Sequence, residues 1–134
     1  MSSVSYKEEK FISTYASKEK RERYLSFLKG HKHRKKFLEL LNHNFSYNPK
    51  SAKELDKSYK SEEKLKTLIS KMNGASTCHL LADGCELDGK ELRTSEGIKE
   101  LLGNYWGSVL IFESFAIYKP EDPEEMVLFS EKHT

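Results

Sequence analysis

Apolar residues recur at three- and four-residue steps along the first third of the chain, a spacing that indicates amphipathic helices. Phe11, Ile12 and Tyr15 predict a first helix within residues 6–15. A longer stripe follows over residues 18–41: Tyr24, Phe27, Leu28, His31, Lys35, Leu38 and Leu41. Its middle is polar and contains Gly30, which costs about 1 kcal/mol relative to Ala inside a helix. The stripe fits one long helix or two helices that meet near residues 30–32, and we favour two.

Asn, Ser and Pro cluster at residues 42–49 and predict a break in helical structure. Residues 51–60 would form one helical turn or two. Ser61 is a candidate N-cap for a further helix over residues 62–72. Its apolar face would consist of Leu65, Leu68, Ile69 and Met72. Asn73-Gly74 would end that helix.

Beyond Gly74 the pattern changes to short apolar runs bounded by turn residues, which is typical of strands. The predicted strands are residues 77–82, 108–112, 115–119 and 126–130. Asp83-Gly84 and Asp88-Gly89 predict turns. Thr94 or Ser95 would cap a helix that ends at Gly103. The Glu113-Ser114 step would be a tight turn or a bulge within one longer strand.

These elements predict an α+β fold: N-terminal helices packed with a small, mostly antiparallel C-terminal sheet of about four strands, plus one helix, with the helices on one face. The 134 residues suit a single domain, 1–134.

Residues 1–72 hold 18 Lys+Arg and 9 Asp+Glu, a net charge of +9; residues 73–134 hold 5 and 12, a net charge of −7. Either the basic helical half and the acidic half neutralise each other, or they form separate interfaces.

No apolar run reaches the ~18–20 residues that span a membrane, and the first ten residues lack the apolar core of a signal peptide. We therefore expect a cytoplasmic protein in which Cys78 and Cys85 are free thiols. Charged residues make up 33% and hydrophobic residues 37% of the chain, which predicts a thin core under a charged surface.

The segment 29–36 combines five fixed positive charges with two histidines. Its candidate binding residues are Lys29, Lys32, Arg34, Lys35 and Lys36. They could contact nucleic-acid phosphates, or they could form a solvated helix face or neighbour the acidic half of the chain. We prefer the second interpretation because no helix-turn-helix, zinc-finger or aromatic RNA-binding pattern accompanies the segment.

Cys78, His79 and Cys85 are too few and too widely spaced for a structural zinc site, which needs four ligands in close pairs. The stretch 83–92 resembles a calcium loop, but Gly84 and Ser95 would occupy positions that need Asp and Glu. The sequence thus predicts no metal and no cofactor. An enzyme would have to assemble its site from scattered residues, of which Cys78, His79 and Glu113 are the first candidates.

Tyr105 and Trp106 stand immediately before a predicted strand, and Trp106 is the only tryptophan. Their rings would either seal the edge of the core or anchor a protein interface, where Tyr and Trp are enriched. Both are therefore candidate binding residues.

Several short segments are shared with known sequences: Arg21-Glu-Arg-Tyr-Leu, Arg34-Lys-Lys-Phe-Leu, Cys78-His-Leu-Leu, the Leu-Asp-Gly-x-Glu-Leu motif within Glu86-Leu-Asp-Gly-Lys-Glu-Leu92, and Ala116-Ile-Tyr. By these segments, residues about 20–131 resemble a family of small bacterial cytoplasmic proteins of unknown function. Before that Ala-x-Tyr the family carries Cys, Pro and Gly, whereas this chain has Phe112-Glu-Ser-Phe115. The resemblance implies a single bacterial domain and brings no activity, ligand or catalytic residue.

The sequence therefore favours a non-catalytic binding or regulatory protein that acts through a protein partner and not at a membrane. Nucleic-acid binding through residues 29–36 and an enzyme with a scattered site are the two alternatives. A monomer and a homodimer are equally compatible with the sequence.

Overall fold

The computed structural model describes residues 5–72, 75–121 and 125–131. Its helices are α1 (Tyr6–Tyr15), α2 (Arg21–Lys29), α3 (His31–His43), α4 (Glu62–Lys71) and α5 (Thr94–Gly103). Its strands are β1 (Ala52–Glu54), β2 (Thr77–Ala82), β3 (Glu91–Arg93), β4 (Ser108–Ile111), β5 (Phe115–Lys119) and β6 (Val127–Ser130). Among these helices, none is long and apolar enough to cross a membrane.

The strands form one sheet in the order β1-β6-β5-β4-β2-β3, and every neighbouring pair is antiparallel. The α+β class is thereby confirmed, but the prediction of about four strands is wrong, because the sheet has six. The additional strands, β1 and β3, are three residues long. Such short edge strands carry too few residues to show an alternating pattern. Residues 51–60, which are expected to form one helical turn or two, contain the 3₁₀ turn Lys57–Tyr59 and, before it, the strand β1.

Helices cover both faces of the sheet, so the prediction of helices on one face is wrong. Residues of α1, α2 and α3 pack with Leu81, Val109 and Phe129 on one side. Residues of α4 and α5 pack with Leu80 and other strand residues on the opposite side. Since successive side chains of a strand point to opposite faces, adjacent buried leucines such as Leu80 and Leu81 require two cores.

The predicted division of the long stripe into two helices is confirmed. Gly30 separates α2 from α3 in an extended conformation, with φ −120° and ψ 135°. Helix α3 extends to His43, so the break begins at Asn44 rather than at Asn42. These two helices bring the basic segment 29–36 against the acidic half of the chain, where the candidate site lies.

Most other local predictions hold. The Ser61 hydroxyl accepts a hydrogen bond from the Lys64 amide at 3.3 Å and caps α4, and Glu113-Ser114 is a turn closed by the Phe112 amide and the Phe115 carbonyl. Thr94 begins α5, but its hydroxyl donates to the Ala75 carbonyl, 2.8 Å away, instead of capping the helix. The predicted stop at Asn73-Gly74 lies outside the described residues.

Candidate functional site

Arg34, on α3, links α1 to the turn at residues 88–89. Its Nη1 and Nη2 atoms donate to the two carboxylate oxygens of Glu8 at 2.8 and 3.0 Å. Its Nε and Nη2 atoms donate to the two oxygens of Asp88 at 2.9 and 3.1 Å. Both edges of the guanidinium are thus used in bidentate pairs, the arrangement that Arg forms most favourably with carboxylates.

The carboxylate of Glu8 also meets His79 from β2, whose Nε2 lies 2.6 Å from Glu8 Oε2. Glu8 is only 2% exposed. Burial by itself would raise the pKa of Glu8, but the hydrogen bonds from His79 and Arg34 outweigh burial, so the pKa lies below its usual value. This buried cluster therefore keeps a carboxylate charged in the interior by surrounding it with donors.

A second ion pair lies one residue further along α3. Lys35 Nζ donates to Asp83 Oδ1 at 2.5 Å, and Asn42 Nδ2 donates to Asp83 Oδ2 at 3.2 Å. The hydrogen bond with Asp83 raises the pKa of Lys35. Asp83 is 4% exposed, whereas the Lys35 side chain remains 63% exposed.

Part of the basic segment is thus neutralised within the molecule. Arg34 and Lys35 belong to the ion pairs with Glu8, Asp88 and Asp83. The remaining candidate lysines of the segment are exposed at the surface: Lys29, Lys32 and Lys36. The charge split between the halves is therefore partly internal and partly outward-facing.

The structure does not bring the three candidate catalytic residues together. Cys78 is fully buried beneath α5, and burial raises the pKa of its thiol to about 12. His79 faces the opposite side of the sheet and is held by Glu8. Glu113 is exposed in the turn between β4 and β5, where its carbonyl accepts a hydrogen bond from Lys10 Nζ at 2.8 Å.

Cys85 is half-buried near α5, with its Sγ 3.4 Å from Glu100 Oε1. Burial raises the pKa of this thiol as well, so neither cysteine has the lowered pKa of a reactive nucleophile. Within residues 5–72, 75–121 and 125–131, no three His, Cys, Asp or Glu side chains come together in a group that could hold a metal ion.

The loop at residues 104–107, which we call the aromatic loop, is held by hydrogen bonds at both ends. Asn104 Nδ2 lies 3.1 Å from the Asp83 carbonyl oxygen and 2.8 Å from Ser108 Oγ. The Gly107 amide donates to Asn42 Oδ1 at 2.6 Å. Because Asn42 and Asp83 are themselves bonded to each other, the loop is fixed to the same polar cluster as Lys35.

Tyr105 and Trp106 project from this fixed loop. Their side chains are exposed to 67% and 41%, and the rings contact each other edge-to-face with centroids 4.9 Å apart. The indole lies over Gly84, so close that a β-carbon built there would stand 2.9 Å from Trp106 Cδ1. One part of the indole thus packs on the protein, and the rest, together with Tyr105, is open to solvent.

Sequence reasoning missed Glu8, Asn42, Asp83 and Asp88 as members of this site. The two aspartates precede glycines, a pattern that predicts turns and, after comparison with a calcium loop, no ion pair. Glu8 did leave a signal, since it falls on the apolar stripe of α1, three residues before Phe11 and four before Ile12. A carboxylate at such a position requires a buried partner.

Comparison of the chain with protein-family models, with curated proteins and with solved structures finds no match in any of the three. The resemblance to a family of small bacterial proteins therefore stays a prediction.

Proposed function

We propose that this chain is a non-catalytic protein-binding module and that it docks its partner through Tyr105 and Trp106. The observation that carries the proposal is the pair of exposed aromatic rings on a loop that is otherwise fixed to the body of the protein. Exposed Tyr and Trp side chains are the residues that most often dominate the binding energy of protein interfaces.

The hydrogen bonds of the aromatic loop strengthen the proposal. A loop that is ordered before binding loses less conformational entropy when the partner arrives, so more of the contact energy appears as affinity. Asn104 and Gly107 supply this order at the two ends of the loop. A partner with an apolar pocket wide enough for an edge-to-face ring pair would fit this surface.

The charged residues also support a binding role over the two alternatives. Arg34 and Lys35, which a nucleic-acid site would need, are held by carboxylates of the same chain. Cys78 and His79, which an enzyme would need, lie on opposite faces of the sheet.

The test is affinity capture from the native host with the tagged full chain. We expect a protein recovered in stoichiometric amount by the wild type and lost with Tyr105→Ala/Trp106→Ala. Tyr6→Ala is the matched control, because Tyr6 is an equally exposed aromatic residue, 70% exposed, on α1. Circular dichroism and thermal melts verify that each variant folds.

Repeated recovery of the chain alone would contradict the proposal. So would a partner that the double variant retains at the wild-type level, because binding would then not depend on the aromatic loop.

A further inference from the structure

A second surface of mixed character lies between α2 and α3. This α2/α3 groove is lined by seven residues: Lys20, Arg23, Tyr24, Phe27, Lys36, Leu40 and Asn44. Three of them are cationic and none is acidic. Glu22 and Glu39 belong to the same two helices but lie outside the lining of the groove.

The three cations of the α2/α3 groove differ from Arg34 and Lys35 in their ion pairing. Lys20, Arg23 and Lys36 are exposed, and among the described residues no carboxylate forms an ion pair with any of them. Arg23 instead lies over the ring of Phe27, 5.5 Å from its centroid. Within the described residues, the groove therefore presents three cations that form no ion pair with a carboxylate.

The floor of the groove is apolar. Phe27 and Leu40 are only partly buried although they pack against the core, and Tyr24 lies beneath them at 2% exposure. A ligand that covered Phe27 and Leu40 would remove apolar surface from water while its acidic groups met the cations at the rim.

We infer that the α2/α3 groove binds an acidic amphipathic helix of a protein partner. The inference rests on the proposed function in that the ligand is a protein, but it uses a surface separate from the aromatic loop. Apolar side chains at helical spacing would contact Phe27 and Leu40, and carboxylates flanking them would pair with Lys20, Arg23 and Lys36. Single-stranded nucleic acid fits less well, because stacking of successive bases needs several open aromatic ring faces, whereas Tyr24 is buried and Phe27, which is partly buried, has Arg23 over its ring.

The experiment is selection of a randomised display library of peptides about 16 residues long, enough for roughly four helical turns. The immobilised full chain is the target, and the charge-reversed variant Lys20→Glu/Arg23→Glu/Lys36→Glu is the counter-selection target. We expect the enriched peptides to combine Asp and Glu with Leu, Phe or Trp at three- and four-residue steps. The same peptides, synthesised with a fluorescent label, are then titrated by anisotropy.

The triple variant should weaken the affinity of those peptides by about tenfold or more, and added salt should weaken wild-type binding. Lys50→Glu/Lys66→Glu/Lys99→Glu is the matched control: it changes the net charge equally at exposed positions outside the groove. It should preserve most of the affinity. Arg23→Glu and Lys36→Glu, tested singly, replace the triple variant if that variant does not fold.

Three results would overturn the inference: no enrichment over the bare support, enriched peptides without acidic residues, or equal binding to the wild type and the triple variant. Tighter binding of single-stranded DNA than of any peptide, lost in the triple variant, would assign the groove to nucleic acid instead. Tyr105→Ala/Trp106→Ala should leave peptide affinity unchanged. The experiment therefore tests peptide binding in the groove independently of partner binding at the aromatic loop.

Discussion

Gly107 lies against the backbone of Asn42 so closely that its amide reaches Asn42 Oδ1 at 2.6 Å and leaves no space for a side chain. A β-carbon at Gly107 would stand 2.8 Å from the Asn42 nitrogen and 2.3 Å from the Leu41 carbonyl oxygen. Those atoms belong to the backbone of α3, which cannot move without unpacking Leu41 from the core. This contact fixes the end of the aromatic loop to the helix.

Gly107→Ala should therefore destabilise the protein by about 3 kcal/mol, the upper part of the range for forced overpacking. Gly103→Ala is the control, since among the described residues no atom beyond its chain neighbours and its own helix backbone lies within 4 Å of a β-carbon at Gly103, and its effect should stay below about 1 kcal/mol. Urea unfolding measures both. Equal stabilities of the two variants would mean that Gly107 does not fix the loop.

Arg34→Met should lower the free energy of unfolding by about 3–5 kcal/mol, because it leaves the buried Glu8 and the largely buried Asp88 without their shared cation. Lys35→Met should cost less, about 1–3 kcal/mol, because Lys35 is 63% exposed and the buried Asp83 keeps Asn42 as a hydrogen-bond donor. Lys32→Met, at an exposed position of α3, serves as the control and should change stability by less than about 0.5 kcal/mol. Chemical denaturation measures the free energy of unfolding of the three variants. Equal losses in all three would contradict the internal role of Arg34.

The stability conferred by Glu8 should depend on pH. Its pKa is lower in the folded protein than its ordinary value of 4.5, so its charged form stabilises the fold above that value and loses this effect as the pH falls through the folded pKa. The difference in unfolding free energy between the wild type and Glu8→Gln should thus be largest near about pH 7 and shrink below about pH 4.5.

Denaturant titrations at a series of pH values measure this difference over the pH range in which the wild type stays folded. Glu22→Gln, at an exposed position of α2, should differ from the wild type by less than about 0.5 kcal/mol throughout. If the difference in unfolding free energy between the wild type and Glu8→Gln grew towards acid pH, the result would contradict a carboxylate held in its charged form.

The two thiols should differ in accessibility. Cys78 is fully buried between the sheet and α5, whereas Cys85 is partly exposed. A disulfide reagent such as DTNB should therefore label Cys85 slowly in the native protein and reach Cys78 only after unfolding. Labelling of Cys85→Ala and Cys78→Ala separates the two rates. Rapid reaction of the native Cys85→Ala variant would contradict the burial of Cys78.

The helical front half of the fold could be predicted because its apolar stripes repeat over many residues. The same reasoning could not find β1, since Lys53 and Glu54 are exposed and Ala52 alone faces the core. The two-sided sheet did leave a signal in the continuous apolar run Leu80-Leu81-Ala82, which is typical of a strand buried on both faces. The run predicts a strand, but the expectation of helices on one face does not take into account that a strand buried on both faces needs a helical layer on each.

The candidate site was harder to predict because its residues come from distant parts of the chain. Asp88 lies 54 positions from Arg34, and His79 lies 71 positions from Glu8. Nothing in the local pattern around residues 29–36 distinguishes Arg34, which is paired internally, from Lys36, which faces the α2/α3 groove. Tyr105 and Trp106 are predicted as binding residues by residue type and position alone, and the structure shows that both are exposed.

Docking through the aromatic loop can be observed at Trp106 itself, by ¹⁹F NMR of the chain labelled with 5-fluorotryptophan. Trp106 is the only tryptophan, so the spectrum contains one tryptophan resonance. On addition of the protein captured from the host, this resonance should shift and lose its solvent isotope effect as the indole is buried. A stoichiometric complex in which the resonance keeps its position and its solvent isotope effect would contradict docking through the aromatic loop.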